Sequence, residues 1–249
     1  MKEWLTDPIV DETKERLDKL GIEAVLFDLD DTLIYTSEIF IQCMQEYVSV
    51  VAEKIGVEAS EIMASLESIN NEEYKKMGVN PKRWVAVVEK LANELGQGET
   101  EILENLNLLM NIYSIEPRIR QGVKGILEVL RNTGVKMVLV THANVEWTHF
   151  KLDKLGLWDY FDAVIIVDEN GHKKSLDWKR GMDVVEVEPE KSLIVGDSLG
   201  GDIKSGDELG ARTVYIPSPW SVSREGEIPE GTEVINEIAE FLAALSKIK

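Results

Sequence analysis

The sequence predicts an α/β chain, a doubly wound parallel sheet with an inserted all-helical domain. Three observations predict it. Short β-branched runs are almost continuously apolar, as strands covered on both faces are. Amphipathic helical patterns alternate with them, the order of a doubly wound sheet. About ninety-five residues separate the first run from the helical pattern near Gly122, where a plain crossover takes a dozen or more.

In order along the chain, Asp7 to Leu20 reads as a leading helix stopped by Gly21 at its C′ position. The strand runs are Ile22 to Phe27, Val135 to Val140, Ala163 to Val167, Ser192 to Val195 and Thr213 to Ile216. The insert is helical by period. Phe40, Cys43, Met44, Tyr47 and Val51 make one stripe, and Trp84, Val88, Leu91 and Leu95 another. Asn80-Pro81 supplies an N-cap followed by a proline at the first helical position, and Gly96-Gln97-Gly98 marks the next break. The insert therefore spans 37–117, with Pro117 near the return, and the core is built from 1–36 and 118–249. Val123, Ile126, Leu127 and Leu130 form a stripe facing a sheet, and Ile235, Ile238, Leu242 and Leu245 read as a closing amphipathic helix.

The chain has 249 residues, enough for a core plus a smaller insert, and its 44% hydrophobic content suits a packed interior. A formal net charge of −19 with no dense basic stripe argues against nucleic-acid and anionic-membrane partners. Cys43 is the only cysteine, so no intrachain disulfide framework and no thiolate zinc cluster can be built. No run of signal-peptide or transmembrane length stands out, and the expectation is a cytoplasmic protein. Oligomeric state is not readable.

Chemistry concentrates where strands end, the edge at which open α/β sheets bind ligands. The first strand runs into Asp28-Leu29-Asp30-Asp31-Thr32. In extended backbone, Asp28 and Asp30 start on one side, and two crowded carboxylates call for a shared cation or proton. A hard divalent ion with oxygen ligands answers that demand. Taken alone, the same residues also suit an acidic turn. A later strand leads into Gly196-Asp197-Ser198-Leu199-Gly200-Gly201-Asp202, where Gly200 and Gly201 permit a tight turn and Asp202 fits either site support or an N-cap. Thr141, ending another strand, suits phosphoryl oxygens together with nearby backbone N–H groups, and His142 beside it suits substrate contact or packing. Lys173 and Lys174 sit in the polar loop after Val167, where one ammonium aimed inward would offset substrate charge.

Taken in order, FDLDDTL, VTHAN, the Lys173-Lys174 loop and VGDSLGGDIKSGDELGA resemble the four motifs of the haloacid dehalogenase-like hydrolases, over residues 22 to about 217. The helical insert resembles the type-one cap of phosphoglycolate-phosphatase-like members. The resemblance implies a Rossmann-like core and a magnesium-dependent phosphatase acting on a small phosphorylated metabolite through an aspartyl-phosphate. Asp28 would be nucleophile and metal ligand. Asp30 would be acid and base, with its backbone carbonyl on the metal. Asp197 would coordinate magnesium with Asp202 supporting it, and Thr141 would hold the phosphoryl group. Lys174 is the preferred third-motif lysine, with Lys173 the alternative, because Ser175 replaces the usual proline. His142 replaces a common asparagine, which leaves its substrate contact open. The true 2-haloacid dehalogenases lack an acid matching Asp30, so phosphoryl transfer is favoured. A phosphomutase and a non-catalytic binding protein are the other readings. Lys75, Lys76, Lys82, Arg83 and Trp84 are nominees for substrate contact in the cap.

Overall fold

The computed structural model describes residues 8–248. Helix α1 (Pro8–Leu20) ends at Gly21, whose φ of 67° puts it in the left-handed region and whose N–H reaches the Asp18 carbonyl. Asp7, expected to open this helix, lies outside the described residues. Strand β1 (Ala24–Phe27) and the short β2 (Ile34–Tyr35) follow. Then come α2 (Ser37–Ile55), α3 (Ala59–Met77), α4 (Arg83–Leu95), α5 (Glu99–Glu104) and α6 (Leu106–Met110). Strand β3 (Arg118–Ile119) returns antiparallel to β2, so the chain leaves and re-enters the core side by side. The remainder alternates: α7 (Val123–Thr133), β4 (Lys136–His142), α8 (Val145–Leu155), β5 (Ala163–Val167), α9 (Ser175–Val184), β6 (Ser192–Gly196), α10 (Ser205–Leu209) and β7 (Arg212–Tyr215). Strand β8 (Glu233–Val234) and α11 (Phe241–Ala244) close it.

Six strands form one parallel sheet in the order β5-β4-β1-β6-β7-β8. Phe27 stands opposite Leu139 of β4 and Val195 of β6, so the carboxyl ends of these strands emerge along one edge. The connections turn to opposite sides of β1, which creates a crevice at its carboxyl end. Both faces of β1 are covered, as its continuous apolar run requires. Phe27 packs with Leu127, Leu139 and Phe241, while Leu26 faces the group of Val138, Trp178 and Ile194. Each such fully buried side chain contributes about 1.5–3 kcal/mol.

Helices α2 to α6 bury their stripes against one another: Tyr47, Val51, Leu66, Trp84, Val88 and Leu91 share one cluster, joined from the core by Trp147 of α8. Helix α4 starts at Arg83 rather than at Pro81. Asn80 still acts locally, its Oδ1 accepting the Lys82 N–H at 2.9 Å. The expected closing helix is broken. The Ile235 N–H donates to the Tyr215 carbonyl at 3.0 Å, which continues the pairing of β8, and only a 3₁₀ turn at Ile238–Glu240 and the short α11 remain helical. No helix among the described residues is long and apolar enough to cross a membrane.

Candidate active site

The Asp28 N–H donates to the Val195 carbonyl at 2.9 Å, carrying the β1 ladder one residue further and bringing the Asp28 carboxylate out beside the end of β6. Asp197 directly follows β6, and Asp202 sits in the π-helical turn Leu199–Lys204 beyond it. That turn is tied at both ends. The Ser198 hydroxyl accepts the Gly201 N–H at 3.1 Å, and the Asp202 carboxylate accepts the Ser198 N–H at 2.9 Å. Asp202 thus bonds backward rather than capping a helix from Ile203. The close approach depends on Gly196, where a Cβ would overlap the Asp202 carboxyl, whereas at Gly200 a Cβ would meet nothing. The sharp spatial demand falls on Gly196, ahead of the glycine pair the sequence pointed to.

Asp28, Asp197 and Asp202 are buried, and each offers an oxygen within 4.8 Å of the others. Lys173 is the lysine brought to them. Its ammonium contacts Asp28, lies 2.7 Å from Asp202 and donates to the Val140 carbonyl at 3.2 Å. Lys174, the preferred candidate from sequence, faces solvent, and its backbone N–H donates to Asp177 at the start of α9. Burial by itself would lower the Lys173 pKa, but Asp202 and Asp28 outweigh it and hold the ammonium above its ordinary value. Burial pushes Asp28 up to about 7 against the pull of Lys173. Asp197 is held well above the carboxylate range by burial and then by Asp28 and Asp202, and it forms no ion pair among the described residues.

Asp30 departs from this cluster. Its carboxylate is held by the Lys151 ammonium at 2.6 and 2.8 Å and accepts the Thr36 hydroxyl. The Asp30 side chain, expected among the metal ligands, is thus engaged by Lys151 and Thr36 and does not join the three clustered acids. Lys151 is fully buried and lies 4.2 Å from the Trp147 ring centroid. Sequence reasoning missed it, although a signal was present: Lys151 sits in the buried stripe Trp147, Thr148, Lys151, Leu152, Leu155 of α8, where a lysine needs a partner. Asp31 was also missed. At φ 58° it turns back, and its carboxylate accepts the N–H groups of Thr36 and Ser37 and the Ser37 hydroxyl at 2.8–3.1 Å, fixing the start of α2.

Thr141 is fully buried at the end of β4, and its hydroxyl has no hydrogen-bond partner among the described residues. Beside it, His142 lines a cavity of about 500 Å³ between the sheet edge and the helical insert. Burial, then Lys173, pushes the His142 pKa down to about 4, so the ring is neutral near pH 7. The cap side of the cavity brings in Phe40, Asn70, Tyr74, Lys75 and Arg83. Of the other cap nominees, Trp84 lies inside the cap core and Lys76 pairs with Glu73. Lys82 is exposed.

Three buried carboxylates facing one ammonium leave negative charge uncompensated, and their all-oxygen donor set fits a hard divalent cation such as magnesium. Residues 25–216 match the family described as haloacid dehalogenase-like hydrolase, and the chain belongs to it. It is 28% identical over 236 residues to the glyceraldehyde 3-phosphate phosphatase of Methanocaldococcus jannaschii, covering 92% of this chain and 99% of the relative. To the phosphoglycolate phosphatase of Aquifex aeolicus it is 27% identical over 215 residues, covering 85% and 92%. Both of these relatives are phosphatases. The fold agrees with that of a haloacid dehalogenase-like family hydrolase from Xanthomonas campestris, at a TM-score of 0.72 and 16% identity over 92% of both chains.

Proposed function

We propose that the protein is a magnesium-dependent phosphatase of small phosphorylated metabolites, working through an aspartyl-phosphate on Asp28. The observation that carries this reading is the meeting of Asp28, Asp197 and Asp202 with Lys173 at one sheet edge beneath a cavity of metabolite size. Asp28, Asp197 and the Asp30 backbone carbonyl would hold the metal, with Asp202 supporting. When bound, magnesium supplies positive charge that offsets the phosphoryl oxygens and the crowded carboxylates.

An Asp28 oxygen attacks phosphorus and the bond to the leaving oxygen breaks, while Asp30 gives its proton to the departing alcohol. A water then attacks the same phosphorus, giving its proton to Asp30, and the bond to Asp28 breaks to release phosphate. Lys173 orients Asp28 and offsets charge on the phosphoryl oxygens. The buried Thr141 hydroxyl, lacking a partner, is available to a phosphoryl oxygen. The helical unit at 37–117 acts as a cap that excludes water and reads the leaving group.

Turnover of an aryl phosphate tests this. Wild type with magnesium should be active, while EDTA and Asp28→Asn should each abolish activity. Equal rates in all three conditions would refute the reading.

A further inference from the structure

The cap wall of the cavity holds a cation without a counter-charge. Arg83, the first residue of α4, is 4% exposed and lines the cavity. Its Nη1 donates to the Gly78 carbonyl at 2.5 Å, and its guanidinium carbon lies 5.5 Å from the Tyr74 ring centroid and 5.3 Å from that of Trp84. These contacts fix the guanidinium plane, but none is anionic. Among the described residues Arg83 forms no ion pair, and its Nε has no hydrogen-bond partner.

A guanidinium does not give up its proton inside a protein, so burial leaves a full charge that a carbonyl and two ring faces offset only in part. Two polar atoms lining the same cavity, Asn70 Oδ1 from the cap and His142 Nε2 from the sheet edge, are also buried without partners among the described residues. His142, Lys173 and Arg83 all line this one cavity. Tyr74, against which the guanidinium packs, lines it as well, together with Asp28 and Asp197. One small molecule bound at the acids can therefore also reach the cap cation.

Resting on the phosphatase reading, we propose that Arg83 recognises a second anionic oxygen group, a carboxylate or a further phosphate, carried by the alcohol part of the substrate. Guanidinium geometry suits both groups, since each presents two oxygens to its forked donors. An arginine that served only to tie the α3–α4 corner through Gly78 would make turnover indifferent to that group.

Two matched pairs of esters test the proposal: 3-phosphoglycerate against glycerol 3-phosphate, and 1,3-propanediol bisphosphate against its monophosphate. Wild type should favour the more charged member of at least one pair by about tenfold or more in kcat/KM. Which pair responds tells carboxylate from phosphate. Arg83→Gln should bring the ratio close to one, and Arg83→Lys should retain part of it. Wild-type ratios near one for both pairs, or an equal loss on both members in Arg83→Gln, would overturn the proposal. If Arg83→Gln does not fold, the wild-type ratios decide alone. Calorimetric binding of the same four compounds to Asp28→Asn with magnesium separates this proposal from the phosphatase reading. Absent turnover with charge-selective binding that Arg83→Gln removes would sink the phosphatase and keep the Arg83 site. Turnover and binding without charge selectivity would do the reverse.

Discussion

At the scale of single residues, the division of labour between Asp28 and Asp30 follows from their partners. Asp28 shares Lys173 with Asp202 in the buried cluster, whereas Asp30 is held apart by Lys151 and Thr36. In the proposed reaction Asp30 passes a proton to the leaving alcohol, which requires its carboxyl to stand in one place, and the Lys151 ion pair would supply that placement. Lys151→Met should lower kcat by about ten- to a hundredfold. The loss should be larger for an alkyl than for an aryl phosphate, because a poorer leaving group depends more on protonation. Steady-state kinetics on the two esters check this, and an equal loss on both would reduce Lys151 to a packing role. Lys151 hid from sequence reasoning because its partner lies 121 positions away. The choice between Lys173 and Lys174 was open for another reason. The backbone at Lys174 is extended, with φ −137° and ψ 169°, so adjacent side chains point opposite ways, and nothing local says which faces inward.

At the scale of elements, the cap is clasped to the loop after β5. The Asn80 amide donates to the Asn170 side chain at 2.6 Å, and His172 Nε2 meets the Lys75 carbonyl at 3.1 Å. Gly78 makes the fit possible. It sits at φ 59°, and a Cβ there would overlap the Gly171 carbonyl and come 2.8 Å from that of Glu169. Gly78→Ala should therefore hold the cap off the core, lowering kcat/KM by about tenfold or more through strain of order 1–3 kcal/mol. Unchanged kinetics in that variant would show that docking at Gly78 is dispensable. Within the cap, Glu73 joins α3 to α4 by bonding Lys76 and Lys90, both at 2.7 Å, and those bonds lower its pKa. A carboxylate with a lowered folded pKa stabilises at pH above its unfolded value, about 4.3, and the benefit fades as pH falls through the folded value. Glu73→Gln should melt below wild type at pH 7, with the gap closing in acid; a gap constant with pH would contradict the assignment. The strands and the cap stripes were legible because continuous apolar runs and 3.6-residue periods are local signals. Strand β8 was not, since two residues carry no period and their pairing with Val214 and Tyr215 is a long-range event. That same pairing took Ile235 out of the predicted closing helix.

At the scale of the whole molecule, a chain of net charge −19 gathers Lys173 and Arg83 on the walls of its cavity, with Lys151 buried behind Asp30. Local cations set against a general acidic field suit the cavity to the anionic ester of the proposed reaction. The parallel sheet accomplishes this by bringing the ends of β1, β4 and β6 to one edge, so that residues from distant stretches of the chain meet there. Asp28 and Asp197 were readable because each directly follows a legible strand, and Asp202 because it lies in the turn just beyond the second. The cavity's cap wall was legible only in part: Lys75 and Arg83, nominated from the sequence, line it, but Phe40, Asn70 and Tyr74 enter through how helices without such motifs pack. The central claim is covalent transfer to Asp28. Its most direct measurement is acid quenching of the Asp30→Asn variant with magnesium and a radiolabelled aryl phosphate, followed by peptide mapping. The account predicts label on the peptide carrying Asp28 and none in the additional Asp28→Asn variant. Label on another residue, or undiminished phosphate release by Asp28→Asn, would contradict it.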